Sequence, residues 1–210
     1  MKKILIVLTL AIFYTSCKAQ TPVLNRFERV MERTENAYYK DIDSIFNPFE
    51  GTWVATNQNK TFKVTFVKKE MVLEESYVNY YEDLLIGEFE YYEKGVLKTS
   101  TLFYLDNPPA DLYRYSSFYS LGAIDKYRYE ECLDCAANDW RLLMRFTEPA
   151  NDDPCLEGGF AMRIVMENGA EKLKAQFFMK ETACGYKDDG TPSTARYFSV
   201  PFGNYTFVKE

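Results

Sequence analysis

The sequence predicts an all-β protein: an antiparallel, up-and-down barrel, closed or nearly closed, with a short helix in front of it. Three observations carry that prediction. Apolar and polar residues alternate with period two in run after run beyond Gly51. Turn-forming residues separate those runs. Tyr and Phe, at 17 and 16 residues, supply the rings that favour strands.

The first strand is expected at 52–56. Asn57-Gln58-Asn59-Lys60 turns the chain into 61–68, where Phe62, Val64 and Phe66 face one way and Lys63 and Thr65 the other. Lys94-Gly95 separates strands at 84–93 and 96–104. Trp140, Leu142, Met144 and Phe146 alternate with Arg141, Leu143, Arg145 and Thr147. Phe160, Met162, Ile164 and Met166 make the next inward set, and Leu173, Ala175, Phe177 and Met179 the one after. Asn168-Gly169 between them is the hairpin dipeptide for a turn with two left-handed residues. Many short strands joined this way close on themselves, which removes the exposed edges that make open sheets aggregate. Asp106-Asn107-Pro108-Pro109-Ala110 reads as a rigid loop, and 148–159 and 182–195 as loops rich in Asp, Pro, Gly and Thr. Insertions of this kind are where function sits on a rigid scaffold.

Upstream, the chain divides into 1–17, a signal peptide; 18–48, a tether with a short amphipathic helix; and 49–210, the barrel. Lys2 and Lys3 precede an apolar run, Ile4 to Tyr14, broken only by Thr9. That run is too short to span a bilayer and has the length of an export signal's apolar core. Thr15 and Ser16 are small and lead into Cys17, as in a bacterial lipobox, although Tyr14 stands where an aliphatic residue is usual. Two processing routes follow: lipidation of Cys17, or ordinary cleavage after Ala19. The first puts the protein in the cell envelope, anchored to the outer membrane or facing the periplasm; the second secretes it. In the tether, Leu24, Phe27, Val30 and Met31 recur at helical spacing among Arg26, Glu28, Arg29, Glu32 and Arg33, with Pro48 as the stop.

The formal net charge is −6, and −8 once Lys2 and Lys3 are gone. An acidic chain without a basic cluster excludes nucleic acid as a partner. Histidine is absent, which excludes Ser-His-Asp and Cys-His catalysis and removes the commonest metal ligand. No cofactor, no metal and no enzymatic activity are expected.

Cys132-Leu133-Asp134-Cys135, with Cys155 and Cys184 downstream, is the sharpest local pattern. A redox Cys-x-x-Cys belongs at a helix start, and a four-cysteine zinc site pairs two such knuckles. Neither context is present, so in an oxidising compartment the four read as two structural disulfides. A bond within Cys132–Cys135 closes a very small loop, so each is expected to pair outward to Cys155 or Cys184. The acidic pairs Glu74-Glu75, Glu82-Asp83, Glu130-Glu131, Asp152-Asp153 and Asp188-Asp189 read as solvated surface charge. Tyr80, Tyr81, Tyr91, Tyr92, Tyr113, Tyr115, Tyr119, Tyr127 and Tyr129 form a tyrosine-rich stretch. Tyr113 with Tyr115, and Tyr127 with Tyr129, share a face if extended. They serve as a binding platform or as cross-strand packing.

Phe49-Glu50-Gly51-Thr52-Trp53 opening the first strand resembles the calycins, the lipocalin and fatty-acid-binding barrels, where such a Trp plugs one end. By that resemblance Gly51 and Trp53 close the barrel. The arginine that packs over the Trp from the final lipocalin strand has no clear counterpart, Arg196 being the nearest. Together with the leader, Asp83 to Tyr91, the hairpin at 160–180 and the run from Phe198-Ser199-Val200-Pro201 to Thr206-Phe207-Val208-Lys209, the motif is similar to a family of small Bacteroidota lipoproteins built on a domain of unknown function. The function expected is an exported binding module for a small apolar or amphipathic ligand. Phe62, Phe66, Tyr91, Tyr113, Tyr115, Met144, Met162 and Phe177 are its candidate lining. The alternatives are a solid-cored lipoprotein that meets protein partners on its outer face, and a glycan binder. The partners expected are a membrane, through the lipid on Cys17, and the ligand or a protein.

Overall fold

A computed structural model of the chain describes residues 21–28, 32–129, 131–149, 151, 153–195 and 197–210. Residues 1–20, Cys17 among them, and Arg29, Val30, Met31, Glu130, Ala150, Asp152 and Arg196 lie outside the described residues. Eleven strands form one sheet: β1 (Val23–Asn25), β2 (Tyr38–Lys40), β3 (Gly51–Asn57), β4 (Lys60–Glu74), β5 (Tyr80–Glu93), β6 (Val96–Ser100), β7 (Phe118–Asp125), β8 (Trp140–Phe146), β9 (Glu157–Glu167), β10 (Ala170–Glu181) and β11 (Gly203–Lys209). Eight of them, β3, β4, β5, β7, β8, β9, β10 and β11, make a closed antiparallel barrel. Each pairs with its neighbour in the chain once β6 is set aside. Pairing of β5 with β7 and of β11 with β3 completes the ring. The meander follows from the turns. Lys94 and Gly95 take φ of 54° and 74°, and Asn168 and Gly169 take 55° and 76°. Two successive left-handed residues match the twist of the flanking strands.

The inward sets meet as the alternation predicts. Trp53, Phe62, Phe66, Phe89, Phe118, Phe146, Phe160 and Phe207 are all buried, with Leu142, Met144, Met162, Leu173 and Phe177 among them. Rings touch edge to face or tilted across the barrel, Phe118 to Phe146 at 4.7 Å and Phe146 to Phe177 at 4.8 Å between centroids. Gly87 lets this happen beside β7, because a Cβ there would lie 2.5 Å from the Phe66 ring. Trp53 is fully buried, its indole N–H donating to Phe49 O at 2.8 Å. A cation from the last strand does pack over it: Lys209 Nζ lies 5.1 Å from the ring centroid.

No helix is formed at 21–28 or 32–37, the described residues on either side of Val30 and Met31. Val23–Asn25 is a strand, paired in parallel with β2, which pairs in parallel with β5. The Asn25 side chain then turns the chain by accepting from Phe27 N at 3.0 Å. The periodicity misleads because Arg26 is buried. Its Nε donates to Asp83 O at 2.5 Å and its Nη2 to Ser120 O at 2.9 Å, with Glu82 at 3.2 Å. Pro48 lies inside a 3-10 turn, Asn47–Phe49, and stops no longer helix. Glu82 and Asp83 are likewise no surface pair. Asp83 accepts from Tyr38 Oη at 2.5 Å and Asp41 N at 3.0 Å, and Lys68 lies 3.5 Å away. These partners meet the requirement that buried charge be paired.

Both disulfides form, with a different pairing from the one expected. Cys132 joins Cys135 and Cys155 joins Cys184, with Cα atoms 5.4 Å and 5.5 Å apart. A turn closed by Cys135 N donating to Cys132 O at 3.3 Å brings the first pair within normal bridging distance. Asp153, also buried, gathers the second. Its Oδ1 accepts from Cys155 N at 3.1 Å and Cys184 N at 3.2 Å, and its Oδ2 from Gly185 N at 2.7 Å. The expected strand at 96–104 stops at Ser100, and Phe103–Asp106 and Leu112–Tyr115 are single helical turns.

Candidate functional site

The barrel has two short seams. One edge of β5 belongs to β4 throughout. Its other edge takes β2 at Tyr81 and Glu82, β7 at Ile86 and Gly87, and β6 from Glu90. Only two residue pairs join β5 to β7, yet the backbone between these partners is satisfied. Asp83 O accepts from Arg26, Leu85 N donates to Ser120 Oγ at 3.1 Å, and Phe89 N donates to Thr101 Oγ1 at 2.9 Å. Phe89 O accepts from Thr101 N at 2.8 Å. The segment 101–117 is held there by buried Glu88, which accepts from Ser117 Oγ at 2.5 Å and Ser117 N at 3.2 Å. Burial raises the Glu88 carboxyl above its ordinary range, with the hydrogen bonds from Ser117 and Thr101 opposing it.

The seam between β3 and β11 is different. It is zipped at Trp53–Lys209 and Val54–Val208, with Glu210 N donating to Thr52 O at 2.9 Å. Beyond Val54 the strands part. β3 continues on β4 to Asn57–Lys60, and β11 continues on β10 back to Gly203–Phe177, but no pairing crosses between them among the described residues. Thr56, Asn57, Gly203, Asn204 and Thr206 are exposed. A cleft of about 470 Å³ opens in the gap. Phe62, Tyr91, Phe202 and Tyr205 supply its rings, and Thr56, Asn57, Lys60, Asn204 and Thr206 its polar rim. Ala55, opposite Phe62 in the ladder, is small enough for Phe62 to reach Tyr205 at 5.4 Å. Phe202, 41% exposed, packs tilted against Phe177 with ring centroids 4.8 Å apart. The Tyr205 hydroxyl donates to Pro201 O, and its pKa is pushed up to about 12 by burial and by Tyr91. Burial, reinforced by Glu93, also raises Tyr91. Both phenols therefore stay neutral at physiological pH and present apolar faces with hydroxyl tips.

Of the candidate lining residues, Phe62 and Tyr91 reach this cleft. Phe66, Met144, Met162 and Phe177 are sealed in the core and border none of the clefts described. Tyr113 and Tyr115 sit on a helical turn rather than a strand face. Tyr113 donates to Glu82 Oε1 at 2.9 Å and is half-buried beside it, while Tyr115 points to solvent. Tyr127 and Tyr129 follow the end of β7 and are not extended together. Phe202 and Tyr205 line the cleft as well and lie outside the expected set. Tyr205 carries a usable signal, alternating with Phe207; Phe202 lies in an irregular segment that gives none. Two clusters bring an aspartate beside two sulfurs, Asp134 with Cys132 and Cys135, and Asp153 with Cys155 and Cys184. All four sulfurs are in disulfide bonds.

No curated protein and no solved structure matches the chain. A family model described as a family of unknown function, DUF6705, matches residues 1–210, and the chain belongs to that family.

Proposed function

We propose that this protein is an exported binding module, held in the cell envelope by a lipid on Cys17, that takes a small apolar or amphipathic ligand in the cleft between β3 and β11. The observation that carries the reading is the cleft itself: about 470 Å³, ring-lined and polar-rimmed, where the β3–β11 ladder is interrupted. Apolar walls with a few placed polar groups are what small-ligand sites have. The barrel interior is not the site, since its aromatic side chains fill it. Binding is favoured over catalysis because the chain has no histidine, and the serines that donate to a carboxylate, Ser117 to Glu88 and Ser199 to Glu148, do not line the cleft. The leader, with its small residues before Cys17, supports the anchor.

Native mass spectrometry of the protein purified from its own host tests the ligand. A bound mass is expected on the wild type and is lost in Phe202→Ala; a bare wild-type chain would count against the reading. Cys17→Ser tests the anchor, and should move the protein from the membrane fraction to the soluble one. The filled core favours one competing reading, a solid-cored lipoprotein that meets protein partners on its outer face. A bare chain in the first experiment would support it.

A further inference from the structure

The unzipped seam presents more than rings. Backbone polar groups in an antiparallel ladder alternate sides, so residues two apart point the same way. Glu210 N donating to Thr52 O makes that pair hydrogen-bonded, and Val54–Val208 is the next such pair along the register. Continuing the alternation, Thr56 on β3 and Thr206 and Asn204 on β11 aim their N–H and C=O groups away from β4 and β10, into the cleft. Among the described residues none of these groups has a partner across the gap. The other seam supplies side chains for such groups; this one leaves two strand edges facing each other over an aromatic floor.

A purely hydrocarbon ligand would cover those backbone groups without bonding them, which is costly. A ligand whose own polar groups repeat at strand spacing would bond them and place an apolar group on the rings. We infer that the cleft takes a short extended peptide, which adds as a strand along the open edges of β3 and β11 and seats one aromatic or aliphatic side chain against Phe62, Tyr91, Phe202 and Tyr205. The open stretch covers three residues of β3 and five of β11, so the shorter edge fits about three residues, roughly 10 Å of extended chain. Both ends of the cleft rim carry Asn and Thr side chains and a single Lys60, so the peptide recognised is uncharged around its central residue. This inference rests on the cleft being the ligand site and names the class of ligand.

The test uses the protein with three probes: the blocked peptide acetyl-Thr-Phe-Thr-amide, the same peptide methylated at every backbone nitrogen, and dodecanoate. Binding is followed by NMR through the amides of Thr56, Asn204 and Thr206 and the rings of Tyr91 and Tyr205. The blocked peptide is expected to shift both sets and the methylated one to bind at least tenfold more weakly. If dodecanoate or the methylated peptide binds as well as the blocked peptide, the strand-addition inference is overturned while the cleft remains a ligand site. If no probe moves any of these signals, both the inference and the reading of the cleft as a binding site fall. The wild-type protein serves in every arm, so no variant has to fold for the result to count.

Discussion

The two seams of this barrel solve the same closure problem in opposite ways. Where β5 meets β7, two residue pairs suffice because Arg26, Ser120 and Thr101 take up the backbone groups that the ladder leaves, and Glu88 pins the covering segment in place. Where β3 meets β11, the ladder is as short and none of the described residues pairs with the remainder across the gap. A buried polar backbone group without a partner costs about 1–3 kcal/mol, so the first seam has to be sealed by side chains. The second stays wet and open, with its groups available to something else. Short pairing alone thus marks neither stability nor function; what stands beside the unpaired edge decides.

Matched truncations should separate the seams most sharply. Phe118→Ala removes a ring packed on Phe66, Phe89, Phe146 and Phe160 at the sealed seam, and should cost ~3–5 kcal/mol in urea unfolding. Phe202→Ala at the open seam should cost about 1 kcal/mol, because that ring is already half in solvent. Equal losses would erase the distinction. The disulfides come next. Cys155→Ser with Cys184→Ser frees two loops that are 29 residues apart in sequence, and should cost ~2–4 kcal/mol. The Cys132–Cys135 pair constrains a much shorter stretch and should cost visibly less by the same measurement.

Glu88 gives a pH test of the seal. Its carboxyl is held above the usual range by burial, so the folded chain binds that proton more tightly than the unfolded one. Its stabilising contribution is full below the unfolded pKa and is lost as pH rises through the raised value. Glu88→Gln keeps a neutral side chain there. Its stability relative to wild type should therefore improve from about pH 4 toward neutrality. A relative stability that stays flat with pH would mean that the carboxylate is not buried as described. The smallest effect belongs to the zipped part of the open seam. Lys209→Met removes the cation over Trp53, and should cost about 0.5–1 kcal/mol in the same unfolding assay.

Much of the barrel was legible because its signals are local. Alternation placed the inward faces of β4, β8, β9 and β10, and Asn168-Gly169 fixed a hairpin by backbone sterics alone. β7 was missed because its alternation is broken: a bulge between Ser120 and Gly122 shifts the register. The tether misled because Arg26 and Asp83 find each other across 57 residues, and helical periodicity carries no information about such a pair. The disulfides failed on a similar point, since loop size argued against a bond that a local turn and the anchoring of Asp134 on Lys174 and Arg163 make easy. The site was half visible. Alternation places Phe62 and Tyr91 facing inward, but the cleft exists only because two strands far apart in sequence diverge. No residue pattern within either strand announces that.

Residue-resolved amide hydrogen exchange on the free protein tests the openness of the β3/β11 seam most directly. Leu85 and Phe89, sealed by Ser120 and Thr101, should be protected to near the global unfolding limit. Thr56, Asn204 and Thr206 should exchange on the order of a hundredfold faster or more, as solvated edge amides do. If those three amides are as slow as Leu85 and Phe89, the seam is zipped in solution, and the cleft is not available to any ligand.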